Sequence, residues 1–415
     1  MADVQSIILY FTLFTSLFFE IFLLITYFEV REEIKFDEEH RKMSPGVRPS
    51  VTIIVPSFNE ERTVAGTIKS ILNLSYPKDK LKLILIDDGS TDNTLKTLNK
   101  FKTHPQVTIY SKENGGKHTA LNFALEKVET DLVGCLDADS YVNQNALEKI
   151  MPFFEDEKIM AVTPSIKVHE PKTILQHVQK VEYSWGVFLR RMLSSMEALY
   201  VTPGPFSIFR TRVFKELGGY RVAHQTEDME MALRMQKNRY RIVNALGAHV
   251  YTVTPGKLKD LYKQRLRWTY GFLNNAMDYR ELFLNKKYGH IGLFILPLAF
   301  ISIFTTLYAA GSFLWNMASK ALDTYSKHQA IGWTFQSPSF SFDWFFINTG
   351  AIALITVAVL ALTLYLLFLA LRIANGPKLP GREVLYYLAV YMFIVPLWLA
   401  SAVYNTVFSR KVSWR

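Results

Sequence analysis

Residues 81–94 read LKLILIDDGSTDNT, an apolar run of leucine and isoleucine that stops on two aspartates and a string of turn formers. A run this short, bounded by Asp, Gly and Ser, is expected to be a buried strand rather than a helix. The same arrangement recurs on either side, in SVTIIVPSF (50–58), VTIYSK (107–112), DLVGCLDAD (131–139) and IMAVTPSIKV (159–168). Between these runs, stretches near 62–74, 92–103, 117–128 and 143–154 are suited to short helices. Strand–helix–strand units in that order build a mainly parallel α/β sheet with right-handed crossovers. Such sheets bind ligands beyond the carboxyl ends of their strands. The carboxylates gather at those ends: Asp87 and Asp88 close one strand, Asp137 and Asp139 another.

The chain has 415 residues, 49% of them hydrophobic and 14% aromatic, enough for one or two sizeable cores. Its extended apolar sequence lies at the two ends, at about 5–28, 290–317, 346–373 and 384–408. Each run is long enough to cross about 30 Å of hydrocarbon. The first has neither a basic leader nor a small-residue cleavage site, so a retained anchor is expected. Lys and Arg outnumber Asp and Glu by 47 to 37. That balance fits a middle domain lying against anionic lipid and handling an anionic substrate, in preference to nucleic acid. The single cysteine, Cys135, sits in an apolar run, which excludes an intrachain disulfide framework and a thiolate metal site.

Five further motifs carry chemistry. In VPSFNEE (55–61) and IDDGSTDNT (86–94), Asp87 or Asp88 could accept hydrogen bonds from a nucleobase or ribose with Glu60 beside them, or the residues could simply form turns. The DAD at 137–139 places two carboxylates where Mg²⁺ or Mn²⁺ could take oxygen ligands, Asp139 being the more direct, although such pairs also occur in solvated loops. NGGKHTALN (114–122) combines two glycines with Lys117 near a helix start, an arrangement suited to a diphosphate or to an ordinary loop. TED (226–228) opens a helix with Thr226 as the expected N-cap. Asp228 there could act as a general base, or merely offset the helix dipole. In YKQRLRWTYG (262–271), Gln264, Arg267 and Trp268 share one helical face, fit either to hold a phosphate and a sugar ring or to anchor the chain at a membrane surface.

The ordered set VPSFNE, DDGSTD, NGGK, DAD, GPFSIFR, TED and QRLRW, followed by apolar spans, resembles the membrane-integrated inverting glycosyltransferases of family 2. That group includes cellulose, hyaluronan, chitin and poly-N-acetylglucosamine synthases. The resemblance covers about residues 50–285 and the spans only by layout. It implies a GT-A domain inserted between transmembrane helices, one before and about three after, that binds a UDP-sugar with Mg²⁺ or Mn²⁺. Asp228 would be the catalytic base and Asp139 the metal ligand. Ser57, Glu60, Asp87, Asp88, Lys117, Asp137 and Glu227 would bind donor, as would Gln264, Arg267 and Trp268 together with the acceptor. Phe206 and Ser207 would line the acceptor path.

The expected layout is a transmembrane helix over 1–30, a charged connector over 31–49, a cytoplasmic catalytic domain over 50–256, interfacial amphipathic helices over 257–288 and a membrane region over 289–415. Arg265 and Leu266, on the other side of the QRLRW helix, are expected to anchor it to the membrane. Thr12, Ser16 and Glu20 form a polar stripe in the first span. With Tyr391 and Trp398 it would border a glycan route, or else it would serve helix packing. One span before the domain and three after would place the basic SRKVSWR tail outside, against its preference, so 318–345 is a candidate interfacial or re-entrant element. A processive polysaccharide synthase of the cell membrane is the leading expectation, with a growing glycan as acceptor and a homo-oligomer or export partner completing the channel. The alternatives are transfer of one sugar to a membrane lipid and a nonenzymatic module that binds nucleotide-sugar.

Overall fold

The computed structural model describes residues 4–39, 48–332, 350–376 and 381–410. It opens with helix α1 (Val4–Glu39), then β1 (Val51–Ser57), α2 (Val64–Leu72), β2 (Leu81–Asp87), α3 (Thr94–Asn99), β3 (Val107–Ser111), α4 (Lys117–Leu125) and β4 (Leu132–Cys135). These four strands pair in parallel, so the carboxyl ends of β1, β2 and β4 face the same way. The chain continues through β5 (Ser140–Val142), α5 (Ala146–Ile150), β6 (Ile159–Val168), α6 (Ile174–Ser195), β7 (Ile208–Arg210), α7 (Arg212–Leu217), α8 (Glu227–Lys237) and β8 (Arg241–Thr252). Eight strands form one mixed sheet in the order β3-β2-β1-β4-β7-β6-β8-β5. The antiparallel members are β7, which runs against both β4 and β6, and β5, which runs against β8.

Alternation along β1 divides the core. Val51, Ile53 and Val55 pack with Val64, Ile68 and Ile71 of α2, whereas Ile54 packs on the opposite face with Ala120, Leu121 and Ala124 of α4. The second face continues without a break into the helices that follow, α9 (Leu258–Asp278), α10 (Leu296–Ile331), α11 (Ala351–Asn375) and α12 (Glu383–Val407). The sheet is thereby built onto the membrane part rather than tethered to it.

Three differences from expectation have physical causes. The helix expected near 143–154 is α-helical only to Ile150 and tightens into a 3₁₀ turn over Met151–Glu155, where Pro152 lacks a backbone donor. Helix α1 runs on to Glu39, into the stretch expected as connector. Helix α10 is continuous to Ile331, so 318–331 is not a re-entrant element, and 333–345 lies outside the described residues.

Among the described residues four helices are long and apolar enough to cross a membrane: Ser6–Phe36, Ile291–Ala330, Ala351–Asn375 and Glu383–Val407. Large apolar side chains on them stay exposed, including Phe14, Trp315, Val357 and Phe393, as lipid-facing residues would. Within the first, Thr363 of α11 donates to Glu20 Oε1, and Thr12 Oγ1 donates to the carbonyl of Ile8 on its own helix. These are packing hydrogen bonds between and within helices.

Candidate active site

The loops at the carboxyl ends of β1 and β2 are laced together. Asn59 adopts a left-handed conformation at φ 57° and takes Thr91 N–H on its side-chain carbonyl at 2.8 Å. Thr94 Oγ1 accepts from Glu60 N–H at 2.8 Å. Asp87 and Asp88 are both buried at this edge but differ in occupation. Asp88 is taken up by Lys112 Nζ at 2.7 Å and by the backbone N–H groups of Gly115 and Gly116 at 3.2 and 2.9 Å. It therefore holds the NGGK loop in place. Asp87 accepts from Ser111 on Oδ2, while its Oδ1 and the hydroxyl of Ser57 are buried without a hydrogen-bond partner among the described residues. Of the two aspartates, Asp87 is the one that retains an acceptor to offer.

Across β4 the acids converge on one cation. Lys117 Nζ lies 2.7 Å from Asp137 Oδ1 and 3.0 Å from Glu227 Oε1, which ties the start of α4 to the end of β4 and the first turn of α8. Burial opposes the charge on Lys117, but the Asp137 and Glu227 carboxylates outweigh it and hold the ammonium well above the usual lysine range. Lys117 likewise overcomes burial at Glu227, whose carboxyl is lowered. Asp228 is pushed up to about 6, first by burial and then by the charge of Glu227, against the pull of Lys117 and Arg267. Its Oδ1 accepts from Met229 N–H at 2.8 Å, and no hydrogen bond reaches Oδ2 among the described residues. Asp139 is pushed up to about 7 by burial, Asp137 and Glu60. Lys117, Cys135, Gly204, Tyr220, Glu227 and Asp228 line one small cavity. A larger groove of about 600 Å³ opens between α4 and α7 and shares Tyr220 with the small cavity.

The QRLRW segment lies in α9, and this helix packs onto the TED turn. Arg267 Nη1 donates to the carbonyl of Gln225 at 2.7 Å, and Asn275 Nδ2 donates to Thr226 Oγ1 at 2.8 Å. Residues 223–225 are all left-handed, at φ 47°, 51° and 66°, so Arg267 and Asn275 secure a strained turn directly before Glu227 and Asp228. Thr226 occupies the N-cap position without capping, because its hydroxyl is turned to Ala223 and Asn275. Gln264 Oε1 accepts from Arg265 Nη1 at 2.6 Å, and the Arg265 guanidinium stacks 4.2 Å over the Trp268 ring.

Two expectations are corrected here. Arg265 is only 4% exposed and is no membrane anchor. It forks onto Glu182 of α6, which also accepts from Tyr391 of α12, and Leu266 packs beside Tyr391 and Trp398. Phe206 does not line an open path, being fully buried in the core at φ 63°, whereas Ser207 borders the small cavity beside Asp228 with its hydroxyl turned to the carbonyl of Pro203. Glu182 and Tyr220 escaped the sequence reading because neither lies in a motif; the one available signal was an acid on the amphipathic face of 172–198.

The α/β sheet, with acids at its strand ends, a basic–aromatic helix over them and apolar helices on either side, is GT-A-like. Residues 52–218 match the Glycosyl transferase family 2 model, so this part of the chain is similar to a family-2 glycosyltransferase domain. It is 29% identical over 292 residues to the poly-beta-1,6-N-acetyl-D-glucosamine synthase of Staphylococcus aureus, covering 69% of this chain and 70% of that one. The Staphylococcus epidermidis protein of the same name is 28% identical over 346 residues, covering 80% and 82%. The fold matches a mannosyltransferase from Pyrobaculum calidifontis, solved in complex with GDP-Man and Mn²⁺, at a TM-score of 0.63 and 19% identity over 98% of this chain and 100% of that one.

Proposed function

We propose that this chain is a multi-pass membrane synthase that transfers sugar from a UDP-sugar to a growing glycan, with inversion, on the cytoplasmic side. The observation that carries this reading is Asp228: a carboxylate with one oxygen held by Met229 N–H, pushed up to about 6, in the first turn of a helix that Arg267 and Asn275 brace. A base near that value is ionised at neutral pH and is still basic enough to take a hydroxyl proton. In the reaction the acceptor oxygen bonds to the anomeric carbon from the face opposite UDP and its proton passes to Asp228. The bond to the diphosphate oxygen breaks, so an α-linked donor yields a β-linkage.

Asp87 Oδ1 and Ser57 Oγ offer buried polar atoms to the uridine, with Glu60 beside them. Lys117 and Arg267 supply positive charge for the diphosphate, and Trp268 and Gln264 a surface for the acceptor sugar. The cluster of Asp139, Asp137 and Glu60, which drives Asp139 up to about 7, fits a divalent cation. Among the described residues no group of three such side chains closes a metal site by itself, so substrate phosphates and water would have to complete the shell. Asp139, aided by Asp137, would hold that ion, which supplies Lewis-acid stabilisation of the leaving UDP.

The relatives' names make UDP-N-acetylglucosamine the first donor to assay. The four candidate spans among the described residues are few for a glycan channel, which favours a homo-oligomer or an export partner. The test is UDP release by the purified chain over a panel of UDP-sugars, followed by sizing of the product. A polymer from one donor supports the reading, and no UDP release from any donor overturns it.

A further inference from the structure

The turn at residues 217–220, between α7 and the TED segment, is locked from two sides. Arg234 of α8 donates Nη1 to the carbonyl of Leu217 at 2.7 Å and Nη2 to that of Gly219 at 3.0 Å. Asn122 of α4 clasps the backbone of Tyr220, donating to its carbonyl and accepting from its N–H, both at 2.8 Å. Gly219 leaves the room for that clasp, because a Cβ there would lie 2.3 Å from Asn122 Oδ1. The Tyr220 ring packs on Phe214 of α7 at 5.2 Å. The turn is thus fixed relative to both the helix that carries Lys117 and the helix that carries Asp228.

This turn delivers a phenol to the acid cluster. Tyr220 is 8% exposed, and the titratable groups facing its hydroxyl are Cys135 of β4, Lys117 of α4 and Glu227 and Asp228 of α8. Burial above all, then Cys135, Glu227 and Asp228, hold the phenol proton well above the usual tyrosine range against the pull of Lys117. The hydrogen bonds of Tyr220 among the described residues are both on its backbone, so the hydroxyl keeps its proton to give. Tyr220, Lys117, Cys135, Glu227 and Asp228 also line the small cavity, whose volume of about 10 Å³ has room for about one water and none for a sugar ring. The Lys117, Glu227 and Asp228 side chains give such a water the polar partners it needs. Asp228 is itself faced by Glu227 from its own helix, Lys117 from α4 and Arg267 from α9, and its Oδ2 receives no hydrogen bond among the described residues.

We propose that Tyr220 is a positioning residue for the base: its hydroxyl donates to one water held in the small cavity, and that water donates to Asp228 Oδ2. This rests on the reading above in which Asp228 takes the acceptor proton. A carboxylate oxygen has two acceptor sites, so the water occupies one and leaves the other for the incoming proton. A bridging water is nearly as good a partner as a direct hydrogen bond, and donation to the charged form favours it. Tyr220 therefore fixes the orientation of the carboxylate and offsets part of the burial that would keep it protonated.

The test is the pH profile of kcat for UDP release by the full chain in detergent, with whichever UDP-sugar the wild type turns over. Tyr220→Phe keeps the ring and removes only the hydroxyl. It should move the acidic limb upward by at least about half a unit and lower kcat at pH 7.5 by about three- to tenfold, while KM for the UDP-sugar moves less than about twofold. In the Asp228→Asn background the same substitution should change the residual rate by less than about 1.5-fold, since no base is left to position. Cys135→Val, which keeps Tyr220 and adds a methyl group to the cavity wall of a strand, should move the limb the same way by displacing the water, and it serves if Tyr220→Phe fails to fold. An acidic limb that Tyr220→Phe leaves in place, or an equal loss of rate in the wild-type and Asp228→Asn backgrounds, overturns the positioning role. A limb moved by Tyr220→Phe but not by Cys135→Val overturns the bridging water. No UDP release by the wild type from any donor overturns the base itself, and the role of Tyr220 with it.

Discussion

Arg265 and Glu182 form a two-point ion pair, Nε to Oε1 at 2.9 Å and Nη2 to Oε2 at 2.6 Å, to which Tyr391 adds its hydroxyl. One carboxylate on α6 thus joins the QRLRW helix to a membrane helix. Because Arg265 is 4% exposed, removing its partner leaves a buried charge uncompensated, a change that costs about 3–5 kcal/mol. Glu182→Gln is expected to lower the unfolding free energy in detergent by that order and to depress sugar transfer. Arg265→Lys, which keeps the charge but loses the fork, should fall between. An unfolding free energy that moves by less than about 1 kcal/mol for Glu182→Gln would show that the pair does not position α9.

Asp228 trades stability for chemistry. In the folded chain it keeps its proton up to about pH 6, whereas unfolded it loses the proton near 3.8. Its contribution to stability is therefore full below the unfolded value and is lost as pH rises through about 6. Asp228→Asn, which stays neutral, should be at least as stable as wild type at pH 7.5 and slower by about 10²–10⁴-fold, the usual worth of a general base. Thermal melts at pH 5 and 7.5 check the sign: the gain should be larger at the higher pH.

Lys117 lowers the carboxyl of Asp228 as well as pairing Asp137 and Glu227. Lys117→Met is expected to shift the acidic limb of the kcat profile upward, by about 1–3 units for loss of a close opposite charge, and to raise KM for the donor. An acidic limb that stays in place would separate Lys117 from the base.

Gly271 lets α9 approach the TED turn. A Cβ there would lie 2.2 Å from Thr226 Oγ1 and 2.9 Å from its Cβ. Gly271→Ala should cost about 1–3 kcal/mol as overpacking and reduce kcat at least about tenfold by displacing the start of α8. Gly311→Ala, where a Cβ meets nothing within 4 Å, is the control.

The first four strands were legible because each is a short apolar run ending on acids or turn formers, and their parallel pairing followed from the helices between them. The longest strand, β8, was not: Asn244, Ala245, Gly247 and Ala248 dilute its β-branched residues, and its partners lie far away in sequence. Asp137, Lys117 and Glu227 were legible as separate motifs, but the convergence of the two acids on one ammonium depends on the sheet order. Arg265 was misread because periodicity separates the faces of α9 without saying what covers each, and the covering acid stands 83 residues earlier. Phe206 was misread because the Pro and Gly around it mark a loop, yet that loop buries its aromatic ring beneath the sheet.

The central claim is that Asp228 takes the acceptor proton at a UDP-sugar site. It is tested most directly by UDP release from wild type and Asp228→Asn at pH 7.5 with Mn²⁺, alongside UDP affinity measured by calorimetry. The expected result is turnover by wild type with at least one UDP-sugar, a loss of about 10²-fold or more in the variant, and UDP affinity within about threefold. Turnover retained by Asp228→Asn would contradict the claim.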